Sequence, residues 1–315
     1  LTAIDSYGHE LWRWTFPVNK LNQQTEQLSP LSSRPAYTET ENELTVKANK
    51  RTFIFSKKDG QLKGVSVDNR KISFANGPRF IGARRADRSL DQFYNHDDEK
   101  AKEKDRTYSE FSDAAVFTKL DVKEDGGNLV VTANYKLGNL DKAQWTINPS
   151  GELALDYTYN FSGVVDLMGI RFDYPEDQVI SKRWLGAGPY RVWQNRIHGT
   201  QYDVWENDYN DPIPGETFTY PEFKGYFGDV SWMNIQTKEG TISLTNETPD
   251  AYIGVYQPRD GRDRLLYTLP ESGISVLNVI PPVRNKVNST DLCGPSSQPK
   301  WVNGPQTGRV IFRFM

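Results

Sequence analysis

Between Ala115 and Phe161 the chain alternates apolar and polar residues with a period of two, and the alternation breaks only at turn-forming residues. Ala115 to Val122, Leu129 to Tyr135, Ala143 to Asn148 and Leu153 to Phe161 read as strands, separated by Asp125 to Asn128 (DGGN) and Pro149 to Gly151 (PSG). Short, tightly turned connections of this kind force antiparallel neighbours, because a parallel crossover needs a dozen or more residues. The segment is therefore an antiparallel meander.

The same signals recur on either side of it. Upstream, Leu44 to Ala48, Thr52 to Phe55, Gly64 to Val67 and Ile72 to Phe74 are strand-like, with a turn at Asp59 and Gly60. Downstream come Trp232 to Thr237, Thr241 to Thr245, Tyr252 to Tyr256, Ile274 to Ile280 and Arg309 to Phe314. A helical stripe is nowhere convincing, and no fixed-period repeat is visible. With 18 Pro, 24 Gly and 12% aromatic residues, the composition fits an all-β chain rich in turns. A dozen or more strands in one unit imply a large antiparallel two-sheet supersandwich.

Charge and cysteine content narrow the partners. A net charge of −3, with no basic stripe, gives no field for nucleic acid. The single cysteine, Cys293, excludes an internal disulfide and argues against a thiolate zinc site. No apolar run reaches the length of a membrane span, so no membrane span is expected. Because the chain starts at Leu1 without Met, it reads as a piece of a longer polypeptide, and its missing leader leaves the compartment unknown, with a periplasmic or secreted bacterial location favoured.

Two stretches break the strand pattern. The charged segment Arg79 to Arg106 ends in the run DDEKAKEKDR, which reads as a solvated, mobile loop at Asn95 to Arg106. Arg183 to Gly225 holds Trp184, Trp193 and Trp205 together with four tyrosines and four prolines, and has neither periodicity. It reads as a long structured loop, which either recognises a flat polar ligand such as a sugar or covers the core with its tryptophans. Within it, Asp203, Glu206, Asp208, Asn210 and Asp211 are hard-oxygen groups that suit calcium, but their spacing fits no EF-hand. No other cofactor is implied.

Three motifs, in order, resemble the C-terminal small-chain domain of β-galactosidases and related enzymes of glycoside hydrolase family 2. Asn49 to Gly64 (NKRTFIFSKKDGQLKG) with Asn76 to Arg88 (NGPRFIGARRADR) is similar to the family's first strands and its arginine-bearing segment. Trp184 to Arg196 (WLGAGPYRVWQNR) resembles its W-x-G-x-G-P-x-E-x-Y-x-D-R, and Asn288 to Pro295 (NSTDLCGP) falls where the family has G-G-D-D-S-W-G. The departures are as specific as the matches. Family Glu, Tyr and Asp become Arg191, Trp193 and Asn195, and the family's late tryptophan falls on Cys293, with Trp301 as its substitute.

The resemblance implies a galactose-mutarotase-like supersandwich over residues 35–315. It also implies that residues 1–34 are the last strand of a preceding immunoglobulin-like domain plus a linker. By the same resemblance, the chain interacts with carbohydrate and completes the sugar site of a catalytic barrel upstream on the same polypeptide. Arg79, Arg84, Arg85, Asp87, Arg191, Trp193, Arg196, Asp291 and Trp301 are the residues it assigns to that site or its rim.

Catalysis by this chain alone is not expected. Retaining glycosidases need two carboxylates roughly 5 to 5.5 Å apart, usually at the strand ends of a (β/α)₈ barrel. Asn246 and Glu247 mimic an acid/base signature but follow a short strand, and read as the start of a turn before Pro249. Mutarotases of this fold use His and Glu, for which His96 and His198 with Glu206, Glu216 or Glu222 are the candidates. The alternatives to a barrel-completing domain are a free-standing aldose epimerase-like or polysaccharide-lyase-like enzyme, or a carbohydrate-binding module.

Overall fold

The computed structural model describes residues 1–16, 33–85, 108–111, 113–209, 224–257, 269–282 and 294–315. A hairpin comes first, β1 (Thr2–Ile4) and β2 (Glu10–Arg13). Next are β3 (Ala36–Glu39), β4 (Glu43–Ala48), β5 (Arg51–Ser56), β6 (Leu62–Val67), β7 (Arg70–Ile72), β8 (Ala75–Arg85) and β9 (Tyr108–Glu110). The meander is β10 (Val116–Asp125), β11 (Asn128–Lys136), β12 (Leu140–Ile147) and β13 (Leu153–Val165), followed by β14 (Leu167–Asp173). The chain closes with β15 (Val179–Gly188), β16 (Gln201–Asp208), β17 (Trp232–Thr237), β18 (Gly240–Asn246), β19 (Tyr252–Gly254), β20 (Ile274–Val279) and β21 (Lys300–Phe314). No α-helix occurs among the described residues.

Two large sheets face each other. One runs β10-β11-β12-β13-β21-β18-β17-β15-β16, and the other β19-β20-β14-β8-β6-β5-β4-β3, with β7 on β6 and β9 on β8. The strand pairs of both are antiparallel, so the chain has the all-β, two-sheet supersandwich architecture expected from its strand pattern. At Asp125 to Asn128, Gly126 and Gly127 both adopt positive φ, which is how two residues reverse a strand without splaying the pair.

Aromatic rings cross the gap between the sheets. Phe74 stacks on Phe172 at 4.6 Å and meets Phe312 of β21 at 5.0 Å, while Trp145 of β12 reaches Phe55 and Phe172, each at 5.9 Å. These rings come from both inner faces, so a single contact set ties the sheets together. Each such side chain, fully buried, contributes about 1.5–3 kcal/mol.

A second, smaller core lies on the outer face of the ten-stranded sheet. Alternation along β8 sends Phe80 inward and Ile81 and Ala83 outward, and these two join Tyr108, Leu167, Val192, Trp193, Tyr226, Leu269, Leu277 and Ile280. That cluster is what turns β8 into a strand covered on both faces. The charged segment that starts at Arg79 thus begins inside a strand: residues 75–85 are one strand near the middle of a sheet, with Ile81 and Ala83 fully buried. Residues 95–106, expected to be mobile, lie outside the described residues.

The segment 183–225 is corrected in the same way. Residues 183–188 and 201–208 belong to the β15–β16 pair, with Trp184 opposite Trp205, and residues 189–200 form the loop between them. The last strand is also longer than its pattern suggested. β21 begins at Lys300 and carries Pro305, which is tolerated because β18 pairs only with Val310 to Phe314 and leaves the preceding residues with one free edge. At the other terminus the opening segment is two strands, not one. Its hairpin leaves Leu1, Ile4, Tyr7, Leu11, Trp12, Trp14 and Phe16 exposed.

Candidate functional site

The loop 189–200 is held at both ends by indoles. Trp184 donates its Nε1–H to the Ala187 carbonyl at 3.0 Å, and Trp205 lays its ring along the end of β15, donating to Gly186 and Gln201. Beyond Pro189 the chain turns inward. Arg191 is buried, and its guanidinium lies over the Tyr256 ring at 5.3 Å, with Lys182 Nζ over the same ring at 5.0 Å. Val192 exchanges backbone hydrogen bonds with Tyr226 at 2.7 and 2.9 Å.

Trp193 was expected on a sugar-facing rim. The structure buries it: it is 2% exposed and packs edge-on against Tyr226 with ring centroids 5.4 Å apart. Gly225 makes this possible, since a Cβ there would stand 2.7 Å from the indole nitrogen. Of the alternatives left open for these tryptophans, core cover holds for Trp184 and Trp193. Arg191 likewise faces the interior, whereas Arg196 is exposed, its amide bonded back to the Trp193 carbonyl at 2.8 Å.

Between them, Gln194 ties the loop to a distant part of the chain. Its amide donates to the Pro281 carbonyl at 3.0 Å, and its side-chain Nε2 donates to the carbonyls of Ser296 and Gln298 at 2.9 and 2.6 Å. Three residues past Gln298, Trp301 enters β21 and is 72% exposed. Trp301 pairs with Val164 on β13, and two residues further the amide of Asp166 donates to the Ala83 carbonyl of β8 at 2.9 Å. The end of β8, the loop 189–196 and residues 294–301 therefore meet at one edge of the sandwich.

Not every assigned residue belongs to that edge. Arg84 lies at the end of β8, half-buried, and Arg85 pairs through its backbone with Tyr108. Arg79 is five positions back, about 17 Å along the strand at 3.3–3.4 Å per residue. It forms an ion pair with Asp173 and lines a different groove of about 570 Å³ with Arg171, Glu110, Phe111, Phe117 and Tyr135. There burial pulls the Arg171 guanidinium down from its usual range, and Glu110 holds it charged at 3.0 Å. Asp87 and Asp291 lie outside the described residues.

The other candidates scatter. His198 is exposed in the loop, Glu206 reaches Arg183 at 3.7 Å, and His96, Glu216 and Glu222 lie outside the described residues. Asp203, Glu206 and Asp208 run along β16, Asn210 and Asp211 fall outside, and no three acidic, histidine or cysteine groups converge among the described residues. Glu247 does sit in a turn, where Asn246 accepts from the Thr248 amide at 3.1 Å, and its carboxylate pairs with Arg309 at 3.2 Å. No helix among the described residues is long and apolar enough to cross a membrane.

One cluster was invisible in the sequence. Around Lys182, Arg191 and Tyr256, Tyr209 meets Tyr256 edge-on at 5.4 Å and donates to Glu176, which also binds Lys224 and the Gln257 amide. Burial, then the Glu176 contact, pushes the Tyr209 hydroxyl well above its usual range. Only Lys182 carried a signal, as a cation on the inward parity of a strand shared with Trp184.

No curated protein matches this sequence. Among solved structures, galactose 1-epimerase from Lactobacillus acidophilus NCFM aligns with a TM-score of 0.45 and 8% identity, over 90% of this chain and 99% of that one. An aldose epimerase homologue from C. elegans aligns with a TM-score of 0.40 and 8% identity, over 89% and 99%. The model of the beta galactosidase small chain family matches residues 47–282, from β4 through the second core, and the chain belongs to that family.

Proposed function

We propose that this chain is the C-terminal, carbohydrate-facing domain of a glycoside hydrolase of family 2, related to β-galactosidase, and that it completes the sugar site of a catalytic barrel on the same polypeptide. The observation that carries this reading is the edge at which Ala83 and Arg84, Gln194, Arg196 and Trp301 converge, with an indole 72% exposed at its lip. An exposed tryptophan gives up hydrophobic stabilisation, which a sugar ring or an apposed domain restores. Arg196 is exposed on the loop that Gln194 ties to this edge. In this reading the chain's role is to shape and orient the sugar site, in keeping with a Glu247 carboxylate already paired with Arg309.

The test is kinetic and uses the intact polypeptide that carries this chain. Trp301→Ala should lower kcat/KM on an aryl glycoside by about tenfold or more, while the melting temperature stays within about a degree, as expected for an exposed position. Unchanged kcat/KM, or an intact polypeptide that encodes no (β/α)₈ barrel, would overturn the reading.

A further inference from the structure

Away from that edge, a groove of about 530 Å³ lies between the N-terminal hairpin and the ends of β15 to β18. Trp12 near the end of β2, and Trp14 and Phe16 just beyond it, all line the groove. They are far from buried: Trp12 is 43%, Trp14 42% and Phe16 67% exposed. Tyr202 adds a fourth ring from the opposite wall, with its hydroxyl fixed on Ser231 at 2.7 Å.

The polar side of the groove is supplied by Asp229 and Asp250. Neither carboxylate has a hydrogen-bond or ion-pair partner among the described residues. The one arginine nearby, Arg13, is held by Glu10 at 2.8 Å. Burial and then the neighbouring Asp250 charge raise the Asp229 carboxyl above its ordinary range, which means the two acids feel each other. Elsewhere the picture differs, because Asp156, Asp173, Glu152, Glu176 and Glu247 are each matched by an arginine or lysine.

We propose that this groove is a saccharide-binding site, in which Trp12 and Trp14 stack on the apolar face of a pyranose ring and Asp229 and Asp250 accept hydrogen bonds from its hydroxyls. A pyranose offers both halves of the match: a flat C–H face for indoles and a rim of O–H donors for carboxylates. Asp156, Asp173, Glu152, Glu176 and Glu247 each face a cation, whereas among the described residues Asp229 and Asp250 face only each other and the aromatic wall of the groove. The groove shares no lining residue with the barrel-completing edge, so the two proposals are tested apart.

The experiment uses the chain alone, with cellobiose, lactose, maltose and xylobiose as probes and choline chloride as a cationic control. Indole Nε1–H resonances of Trp12 and Trp14, identified through Trp12→Phe and Trp14→Phe, should shift saturably with at least one disaccharide, at a dissociation constant on the order of 1 mM. Trp14→Ala and Asp229→Asn should each weaken that binding by about tenfold. Asparagine tolerates the left-handed backbone at position 229, where φ is 51°, so the second substitution removes charge without straining the turn. The proposal is overturned by silence of both indoles toward all four disaccharides, by a response to choline alone, or by undiminished, parental affinity in Trp14→Ala and Asp229→Asn.

Discussion

Gln194 and Gln298, 104 positions apart in sequence, are joined by a 2.6 Å hydrogen bond from the Gln194 side-chain nitrogen to the Gln298 carbonyl. The same nitrogen also reaches Ser296, and Gln194 is only 7% exposed, so one buried amide fastens the approach to β21. Gln194→Leu keeps the volume and removes the donor, leaving two carbonyls to find water or go unpaired. The expected cost is about 1–3 kcal/mol. Hydrogen exchange should accelerate across residues 294–301 and change little in β11 and β12. Uniform exchange between variant and parent would show that the tail is held by something else.

Trp193 and Trp301 make a matched pair for mutation. Trp193→Ala empties a site enclosed by Tyr226, Val192 and Gly225, and should destabilise the fold by about 3–5 kcal/mol. Trp301→Ala should change stability by no more than about 0.5 kcal/mol, as surface substitutions do. Chemical denaturation of both variants measures this directly. Equal losses at the two positions would contradict the burial described above.

Hydrolysis by the chain alone is not expected. Glu247 and Asp156 both bind Arg309, so these surface carboxylates are committed to one guanidinium rather than poised as acid and nucleophile. Purified chain should release no nitrophenol from aryl β-glycosides, and Glu247→Gln should be indistinguishable from the parent. Turnover that disappears on Glu247→Gln would reverse this conclusion.

Asp229 makes a prediction with a definite sign. Its folded-state pKa is raised by burial and by Asp250, so the folded chain holds its proton more tightly than the unfolded chain does. The stability this proton confers is full below the ordinary carboxylate pKa and is lost as pH rises through the raised value. Asp229→Asn should therefore raise the melting temperature at pH 7 and lose that advantage near pH 3. Melting curves of parent and variant across this range provide the check, and an advantage that grows toward acid pH would refute the assignment.

How much of this was readable before the fold was known depends on where each residue's partners lie. Leu129 to Tyr135 and Leu153 to Phe161 were legible as strands because a meander buries one face against a single core, and the alternation records that directly. The resemblance carried by Trp184 to Arg196 was legible too, since it rests on residue identities at a fixed local spacing and not on which partners they meet. Arg79 to Arg85 misled because its outward face is covered by a second core drawn from residues 108, 167, 192, 193, 226, 269, 277 and 280, so that arginines flank a strand with two apolar faces. Trp193 misled for the same reason, its burial depending on Tyr226 and Gly225.

What the sequence determined by itself is the antiparallel, two-sheet class, the turns at Gly60 and at Gly126 and Gly127, and the location of Glu247 in a turn, all consequences of short-range alternation and backbone sterics. Only the tertiary structure decided that Trp193 is core while Trp301 is surface, that Gln194 clamps a strand approach 104 residues later, and that Asp229 and Asp250 share a groove with Trp12 and Trp14. Burial, electrostatic coupling and long-range hydrogen bonds depend on which residues are neighbours in space, and in a fold built of two large sheets those neighbours are mostly distant in the chain.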